Sequence, residues 1–206
     1  TRLQVEHPVT EMVTGLDLVK QQLLIARGEK LAFGQEDLKL QGHAIEVRVY
    51  AEDPANNFLP DIGRLLTYRR PQGHGIRVDD GFEEGMDIPI YYDPMIAKLI
   101  AHGATREDAI EKMLRAIGEY NIVGFETTLG FCAFTLQHEA FASGNFDTGF
   151  VGKHFKPEFL SPQLSVEEAE VVALLGVRTA EVAKQLAKPT LAPTNNGHSN
   201  WKSNRT

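Results

Sequence analysis

Polar and apolar residues alternate from Thr1 to Glu6, with Arg2, Gln4 and Glu6 on one parity and Leu3 and Val5 on the other. That period of two predicts a strand with its three polar groups on one face. His7-Pro8 is expected to end it, because proline lacks an N–H and restricts the residue before it. From Asp17 to Arg27 the period lengthens. Leu16, Val19, Leu23 and Ala26 make an apolar stripe, Asp17 can cap and Gly28 can close, which predicts a helix. His43 to Tyr50 alternates again, with Ile45, Val47 and Val49 opposite Glu46, Arg48 and Tyr50. Further strands are expected around 63–68, 75–79 and 95–102, punctuated by Pro54, Pro60, Pro71, Gly73, Gly81, Gly85 and Pro89. The middle of the chain thus reads as antiparallel β.

Two helices are expected next. Thr105-Arg106-Glu107-Asp108 has the form of a capping box, followed by Ala109, Ile110, Met113, Leu114 and Ile117 on one face. After a strand at 121–125, residues 128–142 fit a second helix with Leu129, Ala133, Leu136 and Ala140 inward. A last helix is expected from Ser165 to Lys188, ended by Pro189. Residues 190–206, rich in Pro, Asn, Ser and Thr, read as a flexible linker or tail.

Composition narrows the function classes. Twenty-one Lys and Arg against 28 Asp and Glu give a net charge of −7 with no basic cluster, which argues against a nucleic-acid partner. No apolar run approaches the roughly 18–20 residues that a bilayer span needs, so no membrane helix is expected. The single cysteine, Cys132, cannot form an internal disulfide or a multi-cysteine zinc site, and suits a reducing compartment. The first residues carry no apolar signal segment. The chain starts at Thr1 inside a structured pattern, and is expected to belong to a longer polypeptide.

The most informative stretch is Thr1-Arg2-Leu3-Gln4-Val5-Glu6-His7-Pro8-Val9-Thr10-Glu11. An arginine fork, an amide and a carboxylate on one strand face can hold a small anion and take a proton from it. The ordinary alternative is a solvated face with a charge pair. The string itself resembles the biotin carboxylase component of biotin-dependent carboxylases, whose fold is ATP-grasp. So do Gly42-His43-Ala44-Ile45-Glu46-Val47-Arg48, Ala51-Glu52-Asp53-Pro54, Phe58-Leu59-Pro60 and Tyr91-Tyr92-Asp93-Pro94-Met95-Ile96-Ala97-Lys98-Leu99-Ile100, in the family's order. The resemblance runs from Thr1 to about Phe155.

It implies an α+β architecture: residues 1–36 as the C-terminal end of an ATP-grasp domain, residues 37–157 as a biotin carboxylase C-terminal domain of antiparallel sheet with packed helices, and residues 158–206 as a helix with a disordered linker or tail. It implies that Arg2, Gln4 and the Val5 N–H bind bicarbonate, and that Glu6 is the base that deprotonates it for attack on ATP. Arg48 would stabilise the enolate-like oxygen of biotin, with Asp93 near the biotin ring. ATP, Mg2+ and carrier-bound biotin are the implied cofactors and substrates, with the phosphate-contacting lysines, the glycine-rich lid and the metal ligands upstream of Arg2. No metal ligand is assigned within the chain. The implied partners are a biotin carboxyl carrier protein or domain, a carboxyltransferase component and a second copy in a homodimer. The implied setting is acetyl-CoA or propionyl-CoA carboxylation, as in fatty acid biosynthesis, in the cytoplasm or the mitochondrial matrix.

The chain alone is expected to be inactive, and it lacks the Met-Lys-Met segment that accepts biotin. Two alternatives stand beside this reading: a non-catalytic structural or dimerisation module, and another bicarbonate-activating ATP-grasp ligase, such as one forming carbamoyl phosphate. Taken without the family, Arg48 is a solvated face residue or half of an ion pair. Lys98 is read either as a pocket lysine or, in preference, as lying on the wet side of a half-buried strand, His7 as structural, and Cys132 as core. His43, His102, His138 and His154 share no metal-ligand spacing.

Overall fold

Proline starts a helix at the beginning of the chain instead of ending a strand. In the computed structural model, which describes residues 2–89, 91–160 and 165–186, helix α1 runs His7–Thr14 with Pro8 in its first turn. A missing N–H costs nothing there, and the ring pre-sets the helical φ. The strand expected over residues 1–6 is therefore corrected: residues 2–4 are irregular and residues 5–6 form a turn. Their exposure still alternates, with Arg2, Gln4 and Glu6 exposed and Leu3 and Val5 half-buried. Gly15 ends α1 at φ 73°, in the left-handed region, donating its N–H to Glu11 O at 2.8 Å. Helix α2, Leu18–Ala26, follows, with Asp17 Oδ1 accepting from Lys20 N at 2.8 Å as a cap. Its apolar stripe does not face inward: Val19 and Leu23 are exposed, and Leu18, Gln21 and Leu24 are the half-buried positions.

The described residues fall into two units, one within Thr1–Ser161 and the other within Pro162–Thr206. The first is built on strands β1 His43–Tyr50, β2 Glu52–Asp53, β3 Leu59–Pro60, β4 Thr67–Arg69, β5 Ile76–Asp80 and β6 Met95–Gly103. Helix α3 (Arg106–Glu119), strand β7 (Asn121–Val123), and helices α4 (Leu129–Gln137), α5 (Glu139–Ala142) and α6 (Phe150–His154) complete it. The main sheet is antiparallel in the order β1-β6-β5, and β2-β3 and β4-β7 form two small ribbons. The strand expected at 63–68 shrinks to β4 and an isolated bridge between Arg64 and Asp87. The helix expected at 128–142 breaks at His138, which is extended and caps α5 by accepting from Ala140 N at 3.1 Å.

The two faces of the main sheet divide as the alternation in β1 predicts. Ile45, Val47 and Val49 lie opposite Ala101, Leu99 and Ala97 on β6, and these six are buried. Ala109, Ile110, Met113 and Ala116 of α3 join the same core. Complete burial of one side chain such as Leu99 is worth roughly 1.5–3 kcal/mol. Turn geometry closes the sheet at Gly75, where φ is +78° and a Cβ would fall on the carbonyl oxygen of His102. In the second unit, α7 spans Val166–Leu186. Ser165 Oγ accepts from Glu168 N at 3.2 Å while Glu168 Oε2 accepts from Ser165 N at 2.9 Å, a reciprocal cap. Lys188 and the tail read at 190–206 lie outside the described residues.

Candidate functional site

The other face of the main sheet is charged. Register places Arg48 of β1 directly opposite Lys98 of β6, and Lys98 directly opposite Asp79 of β5. Like charges facing each other across an antiparallel pair repel. Arg48 and Lys98 are therefore tolerated only where negative charge is brought to them, and the fold brings it from several directions.

From the segment before α1, Glu6 Oε2 accepts from Arg48 Nη2 at 3.3 Å. Lys98 Nζ lies 3.5 Å from Asp79 Oδ2 and 3.5 Å from the carbonyl oxygen of Val5. Arg77 holds Asp79 with two hydrogen bonds of 2.7 and 2.8 Å, and reaches Glu11 of α1 at 2.7 Å. Buried Pro8 and these contacts seat α1 over the charged face. Burial acts to raise the Asp79 carboxyl, but the hydrogen bonds and charges of Arg77 and Lys98 outweigh it and hold it below the usual range.

Glu46 stands next to Arg48 on the same face. Its Oε2 is enclosed and has no hydrogen-bond partner among the described residues. Burial pushes its carboxyl up to about 7; the charges of Lys98 and Arg48 work against the rise, and those of Glu6 and Asp79 add to it. Arg48 is also held from behind. Thr128, buried at the start of α4, donates its hydroxyl to Arg48 O at 3.0 Å and accepts from Tyr50 N at 3.1 Å. Beside this edge of β1 lies a hollow of about 400 Å3, lined by residues 45–48 together with Phe131, Cys132 and Thr135 among others.

The structure thus brings Glu6 and Arg48 together across 42 residues of sequence. Arg2 and Gln4 are exposed on the same alternation as Glu6. The idea that guanidinium, carboxamide and acid share one β-edge is corrected: the segment is a turn leading into α1, and the second guanidinium comes from the sheet beneath it. Asp93 is exposed and accepts from Met95 N at 3.1 Å; among the described residues it is not in ion-pair contact with Arg48. It lies instead near Glu52, whose carboxyl is raised by burial and by the Asp93 charge. Lys98, read as wet, keeps only 13% of its side chain exposed and belongs to the charged face. Glu46, Asp79 and Thr128 were missed. Strand parity already put Glu46 beside Arg48, whereas Asp79 and Thr128 needed the tertiary pairing. Cys132 packs against the core, and burial pushes its thiol up to about 12, as expected of an inert cysteine.

Chemically, Arg48 and Lys98, flanked by Glu46 and Asp79 and with the exposed Glu6 carboxylate above them, offer charged donors to a small oxyanion and a proton acceptor beside it. The Glu6–Arg48 pair is about half exposed and contributes no more than about 1 kcal/mol, so an incoming anion can exchange with it at little cost.

Comparison with known proteins gives the family. Residues 46–153 match the biotin carboxylase C-terminal domain, and residues 1–33 match the ATP-binding domain of the carbamoyl-phosphate synthase L chain. Biotin carboxylase 1 of Bacillus subtilis is 52% identical over 151 residues, covering 73% of this chain and 34% of that protein. The mitochondrial methylcrotonoyl-CoA carboxylase subunit alpha of Rattus norvegicus is 44% identical over 178 residues, covering 86% of this chain and 25% of that one. The biotin carboxylase domain dimer of Hydrogenobacter thermophilus 2-oxoglutarate carboxylase, solved with MgADP, ADP and bicarbonate, superposes with a TM-score of 0.75 at 42% identity, over 80% of this chain and 36% of that one. The chain spans about a third or less of the length of these relatives. A family model matched over more than half the chain places it in the biotin carboxylase family.

Proposed function

We propose that this chain supplies the bicarbonate-gripping and biotin-activating face of an ATP-dependent biotin carboxylase. The observation that carries the reading is the Arg48–Lys98 cation pair with Glu6 poised 3.3 Å from Arg48. Arg2, Gln4 and the Val5 N–H bind bicarbonate, and Glu6 removes its proton. The freed oxygen attacks the γ-phosphorus of ATP, ADP leaves, and carboxyphosphate forms. Carboxyphosphate breaks down to CO2 and phosphate, and the phosphate takes the N1 proton of biotin. Arg48 then stabilises the negative charge on the ureido oxygen while N1 bonds to CO2, an electrostatic role for a preplaced cation. Mg2+ with ATP neutralises phosphate charge when bound; its ligands are not assigned among this chain's residues.

In this reading residues 1–36 close an ATP-grasp domain, residues 37–157 form the C-terminal domain, and residues 158–206 continue beyond it. Asp93 is a residue of the biotin side of the site. A biotinylated carrier and a carboxyltransferase component act with the full enzyme, which works as a homodimer; the Hydrogenobacter relative, described as a dimer, supports that step. The acyl acceptor is an acyl-CoA such as acetyl-CoA or propionyl-CoA. It is chosen outside this face, and relatives named methylcrotonoyl-CoA carboxylase and pyruvate carboxylase are similar in sequence over this same part of the chain. The compartment is the cytoplasm or the mitochondrial matrix; among the described residues no helix is long and apolar enough to cross a membrane.

Arg48→Ala in a full-length carboxylase carrying this sequence tests the assignment. Carboxylation of free biotin is expected to fall by about 10²–10³, while biotin-independent, bicarbonate-dependent ATP cleavage stays within about threefold. Equal loss of both activities contradicts the role given to Arg48.

A further inference from the structure

A peptide N–H that grips an anion must itself be held in place, because stabilisation of this kind depends on preorganised donors. Among the described residues, no strand pairs with residues 2–6; they are irregular and then turn into α1. Their link to the sheet beside Arg48 is Lys98. Its ammonium lies 3.5 Å from Val5 O and 3.5 Å from Asp79 Oδ2, with the aliphatic stem largely covered. Asp79 is in turn clamped by Arg77, which is tied to Glu11 on α1. Both Lys98 contacts are long and have room to tighten when an anion arrives.

We propose that Lys98 is a positioning residue for bicarbonate: it pins Val5 to the sheet, so that the Val5 N–H and the Glu6 carboxylate stand at fixed height above Arg48. The proposal rests on the bicarbonate role given above to Arg2, Gln4, Val5 and Glu6. It fits the charges on this face: Asp79 on β5 contacts the ammonium, Glu46 on β1 feels its charge together with those of Arg48 and Glu6, and Arg77 joins Asp79 to Glu11 on α1. Without Lys98, Val5 loses its tether while Arg48 keeps its own, from Thr128. The loss is therefore expected in the grip on bicarbonate, before any loss in ATP binding.

The test is Lys98→Met, close in length and volume, in a full-length carboxylase carrying this sequence. KM for bicarbonate is expected to rise about tenfold or more, with KM for ATP within about twofold, and Lys98→Arg is expected to recover the bicarbonate KM to within about threefold. If Lys98→Met does not fold, Lys98→Leu carries the same comparison; it removes the N–H donors and the charge together. An unchanged bicarbonate KM, a parallel rise in both KM values, or no recovery by arginine overturns the positioning role alone. A wild type with no bicarbonate-dependent ATP cleavage overturns the proposed function, and the Lys98 role with it.

Discussion

Glu46 shows how one residue couples the fold to pH. Its carboxyl is raised in the folded chain to about 7 from an ordinary 4.5, first by burial. Between those values the folded state binds more protons than the unfolded state, so stability falls as pH rises through this window. Above it the folded chain must hold a desolvated carboxylate whose Oε2 lacks a hydrogen bond. Discounted for partial exposure, that penalty is on the order of 1–2 kcal/mol. Glu46→Gln is accordingly expected to raise the melting temperature at pH 8 by roughly 2–6 °C, with the gain vanishing toward pH 4.5. A thermal-melt series across that range checks it, and a gain that grows as pH falls would reverse the sign. At this scale the sequence singled out Arg48 and Glu6, which the fold brings into contact, and parity put Glu46 beside Arg48. Lys98 was misjudged because its parity neighbours Ile96 and Ile100 say nothing about what covers it, and the cover is the turn at Val5.

Among the elements, those that obey a single period were read well and those that punctuation decides were not. Strand β1 and helix α3 match the alternation and the stripe that their residues display. The first six residues alternate too, yet among the described residues no strand pairs with residues 2–6, and Pro8 serves the first turn of α1. His138 breaks the helix expected at 128–142 with no Gly or Pro at that point to mark it, its extended backbone serving as the cap of α5. Thr128 is the element-scale counterpart of Lys98, because its hydroxyl ties the edge of β1 to the start of α4. Thr128→Val keeps the shape and removes both hydrogen bonds, leaving Arg48 O and Tyr50 N without that partner. A loss of about 1–3 kcal/mol in urea unfolding is expected. A loss below about 0.5 kcal/mol would mean that the edge is held by packing alone.

For the molecule as a whole, the site exists because β1 and β6, some fifty residues apart in sequence, pair in a register that sets Arg48 against Lys98. Periodicity can place each residue on a face but cannot choose that register, so the cation pair was not legible before the fold. The family resemblance supplied the roles, and the sheet supplies a reason for them: facing cations call for an anion. The exposed Val19, Leu23 and Ile25 on α2 are apolar positions left uncovered by the residues described. The most direct test is phosphate release from ATP, with Mg2+ and with bicarbonate present or absent, by a full-length carboxylase carrying this sequence and by its Glu6→Gln variant. The account predicts a bicarbonate-dependent rate in the wild type that falls by about 10² or more in the variant. A Glu6→Gln enzyme that keeps the wild-type bicarbonate-dependent rate would contradict it.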